Sequence, residues 1–143
     1  MTDKIAAAQT HIFNENSWEP VVEFGEGHFI YVMPVSCGYF DKSFRFAISK
    51  TQFEILKADV ERRYFLYAVL HYLYQPKAMR NGHQQDPHFA LILSGSQPDV
   101  EALLTRHDAG SKGAVSNLAA SLLTRDQAEI REGRWFLNPS DPV

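Results

Sequence analysis

Residues 49–75 contain neither glycine nor proline, and Pro76 closes the run. This uninterrupted stretch limits the fold more than any other feature, because it predicts a long helical region that the rest of the chain must cover. Ser49 and Gln52 fit the S-x-x-Q form of a capping box. Asp59 offers a second start. The spacing therefore predicts a short helix over 50–57 and a longer one over 59–75, bent or continuous at residues 58–59. Proline at 76 disfavours helix at the residue before it.

The longer helix is apolar on one side and aromatic on the other. At 100° per residue, Phe65, Leu66, Val69, Leu70 and Leu73 share a face. Val60, Tyr64, Tyr67, His71 and Tyr74 form a stripe opposite them. A helix hydrophobic nearly all round belongs between two layers. Glu61 and Arg63 are expected near water at its start. The stripe has two readings: packing beneath a second element, or an anchor for a protein partner, since tyrosine is enriched in interface hot spots.

The remaining elements follow in order. Residues 1–10 form a fraying helix around 5–9 or stay loose. Residues 11–20 read as a loop anchored by Trp18. A strand at 20–24 and one at 29–35 are joined by the Gly25-Glu26-Gly27 turn. The second of these, HFIYVMPVS, is too uniformly apolar to alternate, so it lies centrally or has a covered outer face. Pro34 marks a weak or bulged point in its ladder. Residues 43–48 alternate cleanly, with Phe44, Phe46 and Ile48 on one side.

After Pro76, residues 77–88 form a polar loop with Asn81-Gly82 and Asp86-Pro87 turns. HFALILS, 88–94, reads as a fourth strand. Helices follow at 98–107 and 115–131, the latter breaking near Thr124 and Arg125, with a flexible linker at 108–114. Residues 134–137 are a possible last strand. The expected fold is α+β: an antiparallel sheet of four to five strands, a long central helix and two or three shorter helices packed on it. One globular domain spans 1–143, with mobile ends at 1–10 and 138–143.

Composition narrows the functional classes. The chain has 143 residues, 45% of them hydrophobic, and a net charge of −3. That charge does not favour nucleic-acid binding, which draws on basic patches. The charge is uneven, however. Residues 1–41 hold six acids and one base, residues 42–80 eight bases and three acids, and residues 81–143 eight acids and five bases. A lone cysteine, Cys37, excludes an internal disulfide and favours a reducing compartment. No signal peptide or membrane helix is apparent, so a cytoplasmic protein without a membrane or direct nucleic-acid partner is expected.

Catalytic patterns are weak throughout. His83, Asp86 and His88 share one loop, but an Asp-Pro turn accounts for Asp86, and no closed set of metal ligands is visible. Cys37 sits in a turn and reads as inert. Gly110-Ser-Lys-Gly113 follows a helix rather than the strand a P-loop needs. Glu23 and Glu26 stand at a hairpin tip in water, a poor place for general acid catalysis. No cofactor, metal or catalytic residue is assigned.

The runs FRFAISK (44–50) and QFEILKADVERRYFLYAVLHY (52–72) resemble the strand-to-helix pattern of small bacterial immunity proteins. These are the cytoplasmic antitoxins of contact-dependent growth inhibition and related polymorphic toxin systems. The resemblance brings no set of functional residues with it. It implies a role: binding one cognate toxin domain and blocking its active site or substrate path. Partner contacts are then expected from the acidic 19–26 region (Glu19, Glu23, Glu26), from Asp86 in the polar loop, and from Tyr64, Tyr67, His71 and Tyr74 where the stripe reaches the surface. Two alternatives stand beside it. One is a ligand-binding domain or enzyme with a pocket between the sheet and the 59–75 helix. The other is an adaptor subunit that dimerises through a sheet edge or the tyrosine face.

Overall fold

A computed structural model of the chain describes residues 9–14, 18–36, 41–78 and 82–137. Four strands come first: β1 (Gln9–Ile12), β2 (Val21–Gly25), β3 (His28–Ser36) and β4 (Asp41–Ile48). They form one antiparallel sheet in the order β1-β2-β3-β4, so each strand pairs with its neighbour in sequence. Six helices follow among the described residues: α1 (Lys50–Ala58), α2 (Val60–Tyr74), α3 (His88–Ser94), α4 (Gln97–Gly110), α5 (Ala114–Leu123) and α6 (Gln127–Arg131). The architecture is α+β.

Local chemistry fixes several joints. Gly25 pairs with His28 across a two-residue turn whose Glu26 and Gly27 both have positive φ, 52° and 81°. That is the geometry whose twist suits a tight hairpin. Pro34 lies on β3 past the end of β2, which stops where Val21 meets Val32, so only β4 flanks it. The Ser49–Gln52 capping box forms with both bonds at 3.0 Å. Asp59 caps α2 through the Arg62 N–H and pairs with the Arg62 side chain at 3.2 Å.

The inward side of the sheet carries Val22, Tyr31, Met33, Val35, Phe44 and Phe46, all buried. Tyr74 of α2 meets Phe44 and Phe46, Phe89 of α3 meets Tyr31 and Phe46, and Phe53 of α1 meets Phe24 and Phe29. The far side of α2 packs on the later helices and on the C-terminal segment, where Phe65 stands edge-on to Trp135 and Phe136. The helix is thus buried between two layers, with its tyrosine stripe toward the sheet.

Several expectations are corrected. The segment 88–94 is helix, not strand. Phe89, Ile92 and Leu93 are buried while Leu91 is exposed, which is helical spacing. A short apolar run cannot separate the two states by periodicity, and here Asp86 bonds the His88 N–H at 2.8 Å to start a helical turn. Residues 134–137 form no strand. Their N–H groups bond side chains instead: Phe136 to Glu101 at 3.0 Å and Leu137 to Glu61 at 2.7 Å. Glu61 is accordingly buried rather than at the water boundary. Gln9 and Thr10 belong to β1, which also replaces part of the expected 11–20 loop. Trp18 is 49% exposed and anchors through its carbonyl, which accepts from the Tyr67 hydroxyl at 3.4 Å. The expected linker 108–114 is mostly helix: 108–110 end α4, Ala114 starts α5, and 111–113 form a turn with the Gly113 N–H on the Asp108 carbonyl at 2.9 Å. Five shorter helices accompany α2 among the described residues, where two or three were expected. Cys37 and residues 138–143 lie outside the described residues.

Candidate functional site

The expected site residues fall into three environments. The first is a polar cluster under α2. Glu19 is buried, accepting from the Asn14 side chain at 3.3 and 3.4 Å and from the Tyr64 hydroxyl at 3.1 Å. Asn14 also donates to the Tyr64 oxygen. Burial, with the nearby Glu19 charge, raises Tyr67 to about 12. Tyr64 is raised as well, by burial first. Both tyrosines are neutral donors at any ordinary pH. Between the sheet and α2, the hollow lined by Phe13, Glu19, Tyr31, Arg63 and Tyr67 measures about 10 Å³. That is the room of one water molecule. At this point the contact is packed, and the hollow is too small for a ligand larger than water.

Within this cluster the Tyr31 hydroxyl is fully buried with no hydrogen-bond partner among the described residues. An unmet buried hydroxyl costs about 1–3 kcal/mol. Tyr31→Phe is therefore expected to leave stability unchanged or to raise it by up to about 1 kcal/mol. Tyr64→Phe removes a donor from buried Glu19 and is expected to lower it by about 1–2 kcal/mol. Urea unfolding of the two variants measures the contrast. A larger loss for Tyr31→Phe than for Tyr64→Phe would mean that the Tyr31 hydroxyl is satisfied and the expectation is wrong.

The second environment joins the end of α2 to the start of α3. Tyr74 is buried and donates to Asp86 at 2.5 Å. The other Asp86 oxygen takes His88 through its backbone N–H at 2.8 Å and lies 2.7 Å from the ring Nδ1. Burial works to raise the Asp86 pKa, but the hydrogen bonds from His88 and Tyr74 outweigh it and bring the carboxyl to about 2. Because this is below the ordinary 3.8, the ionised group stabilises the fold above about pH 4. That contribution is lost as pH falls through about 2. The difference in melting temperature between the wild type and Asp86→Asn is expected to be largest near neutral pH and to vanish near pH 2. A gap that does not change with pH would contradict it. On its other side the His88 ring faces His107 of α4, whose pKa is lowered by burial and by the charges of His88 and Arg106. His71, half-buried on α2, is also lowered by burial.

The third environment is the outward face of the sheet. Its residues form two rows across the strands: Ile12, Val21, Val32 and Arg45, then Thr10, Glu23, Ile30 and Ala47. None of these side chains is buried, whereas Phe53, Tyr74 and Phe89 of the helices all meet rings on the inward side. Ile12 is 59% exposed. Glu23 reaches across β3 to Arg45, Oε1 to Nη2 at 2.5 Å, over the line between Ile30 and Val32. Glu26 stands exposed at the hairpin tip beside this face.

No protein-family model matches the chain, and comparison with curated proteins and with solved structures gives no match.

The structure thus separates residues that the sequence grouped. Glu23 and Glu26 belong to an open surface. Glu19, Tyr64, Tyr67 and Tyr74 are interior, and Asp86 is bonded inside the α2–α3 junction. An open groove of about 580 Å³ runs past Ala47, Ser49, Gln52, Gln85 and Asp86. Its polar side chains Ser49, Gln52 and Asp86 already bond one another or neighbouring residues. Among the described residues, no three His, Cys, Asp or Glu side chains converge as metal ligands. Gly110–Gly113 offers no anion site at the start of α5, since the Ser116 N–H is taken by the Asp108 carboxylate at 2.7 Å. Sequence reading missed the surface of β3, because Ile30, Val32 and Pro34 are as apolar as the inward residues that alternate with them. It missed His107 because nothing in the spacing ties it to His88.

Proposed function

We propose that the chain is an immunity-type binding protein that takes hold of one cognate toxin domain and blocks its active site or substrate path. The observation that carries this reading is the outward face of the sheet. One side of a four-stranded sheet bears Ile12, Val21, Ile30 and Val32, with no helix of the described residues over it. A contiguous apolar patch rimmed by polar groups is the surface protein partners use. The Glu23–Arg45 pair crosses it and supplies polar specificity of the kind found in interfaces. The resemblance over 44–72 supplies the class of partner.

This reading places the contact away from the tyrosine stripe. The stripe packs beneath the sheet, with Tyr74 on Phe44 and Phe46, and so is taken up in holding the sheet to α2. The acidic contribution is Glu23 and Glu26, beside the apolar rows. The experiment is co-expression with the toxin domain encoded by the adjoining upstream gene. A stable complex and protection of the cell are expected. Growth arrest with no complex would sink the reading.

A further inference from the structure

Two imidazoles meet between α3 and α4. His88 is the first residue of α3, and His107 lies in the last turn of α4. Their Nε2 atoms are 3.1 Å apart, with ring centroids 5.0 Å apart and planes inclined by 59°. The His88 ring is held from behind. Its Nδ1 is 2.7 Å from Asp86 Oδ1, and Asp86 Oδ2 accepts from Tyr74, a residue of the central helix. A carboxylate on Nδ1 fixes the proton there and leaves Nε2 with its lone pair facing forward. The Nε2 of His107 is the ring nitrogen nearest it, 3.1 Å away.

This spacing also suits a shared ion. Imidazole nitrogens sit about 2.0–2.1 Å from zinc. Two nitrogens 3.1 Å apart would subtend roughly 100° at such a point, near the tetrahedral angle of four-coordinate zinc. The support behind His88 has the form of a carboxylate–histidine–metal relay, in which the carboxylate orients the ligand and raises its basicity.

We propose that His88 Nε2 and His107 Nε2 are the two protein ligands of a site for a divalent ion of the imidazole-preferring class, zinc, nickel or copper, with Asp86 orienting His88. Water completes the coordination, since no third His, Cys, Asp or Glu joins the pair among the described residues. The ion would clip the start of α3 to the end of α4. The proposal is independent of the partner surface, which lies on the sheet.

Calorimetric titration of chelator-treated protein with Zn²⁺ tests it. One ion per chain is expected. His107→Gln is expected to weaken uptake at least tenfold, and Asp86→Asn by roughly tenfold. The double variant His28→Ala/His83→Ala, which removes two exposed histidines, is expected to match the wild type. Nitrogen NMR of the unaltered protein adds a measurement that needs no variant to fold: the Nε2 signals of His88 and His107 move together on adding Zn²⁺. No uptake at millimolar Zn²⁺, unchanged affinity in His107→Gln, or unmoved Nε2 signals would each reduce the pair to an ordinary N–H···N hydrogen bond and overturn the proposal.

Discussion

A chain carrying Ile12→Lys and Ile30→Lys is expected to fold as the wild type does and to lose its partner. Ile12 is on the edge strand and largely in water, so a lysine there removes little packing; lysine is a residue that edge strands use to stay soluble. Ile30 lies directly across from Glu23 on the outward face, and a lysine in its place gains an opposite charge as neighbour. Neither change touches the inward core. At the proposed interface both are severe, because each puts a charge where apolar surface would be covered. A central hot-spot residue is worth about 2 kcal/mol or more, roughly thirtyfold in affinity. Two together should weaken the complex by two to three orders of magnitude. Affinity for the toxin domain by calorimetry measures this, with the melting temperature as control. An intact fold with undiminished affinity would remove the outward face as the binding surface and leave the immunity role to be sought elsewhere on the molecule.

The largest stability effect is expected at Trp135. Its side chain is fully buried against Phe65, with the ring centroids 5.6 Å apart, and its indole N–H donates to Thr105 at 3.0 Å. Its carbonyl accepts from Arg125, which also binds the Arg134 carbonyl at 2.9 Å. Trp135→Ala removes the largest buried side chain and leaves Thr105 without its donor. Such deletions cost about 3–5 kcal/mol. That is a sizeable part of the 5–15 kcal/mol that holds a typical domain together. Leu137, 61% exposed two residues on, provides the contrast: Leu137→Ala should fall within about 0.5 kcal/mol of the wild type. Guanidinium unfolding measures both. A cost below about 1 kcal/mol at Trp135 would mean that the C-terminal segment is not part of the core.

Much of the fold was legible because it is written in local rules. The caps at Ser49 and Asp59, the glycine turn at 25–27, the alternation of Phe44, Phe46 and Ile48, and the break near Thr124 each depend on neighbours a few residues away. Thr124 indeed adopts a left-handed conformation, φ 56°, at the end of α5. What was misread depends on distant residues. The 88–94 run has a strand-like composition, and only its packing between the sheet, α1 and α2 decides for helix. Residues 134–137 are not a strand, and side chains from α2 and α4 take the N–H groups of Phe136 and Leu137. Among the site residues, the acidic hairpin was visible as a surface feature. The interior place of Tyr64, Tyr67 and Tyr74 was one of two readings that the stripe allowed, and the side facing the sheet settles it. The Asp86–His88 contact lies within a local turn. His107 arrives from another helix, beyond the reach of any spacing argument.

The way the C-terminal segment is fastened has a consequence for how the molecule assembles. Every strand of the sheet pairs with the strand next to it in sequence, so the meander closes only short loops and its entropic cost is low. The bonds of residues 135–137 reach back 30 residues to Thr105, 35 to Glu101 and 76 to Glu61. The long-range closures on this side of α2 come from α4 and α5 and, over Phe65, from these last residues. The sheet side of α2 is covered by strands that precede it in the chain, while the ring of Phe65 is covered by Trp135 and Phe136. The segment acts as a latch on the domain, closing over the Phe65 end of a helix face that α4 and α5 also cover.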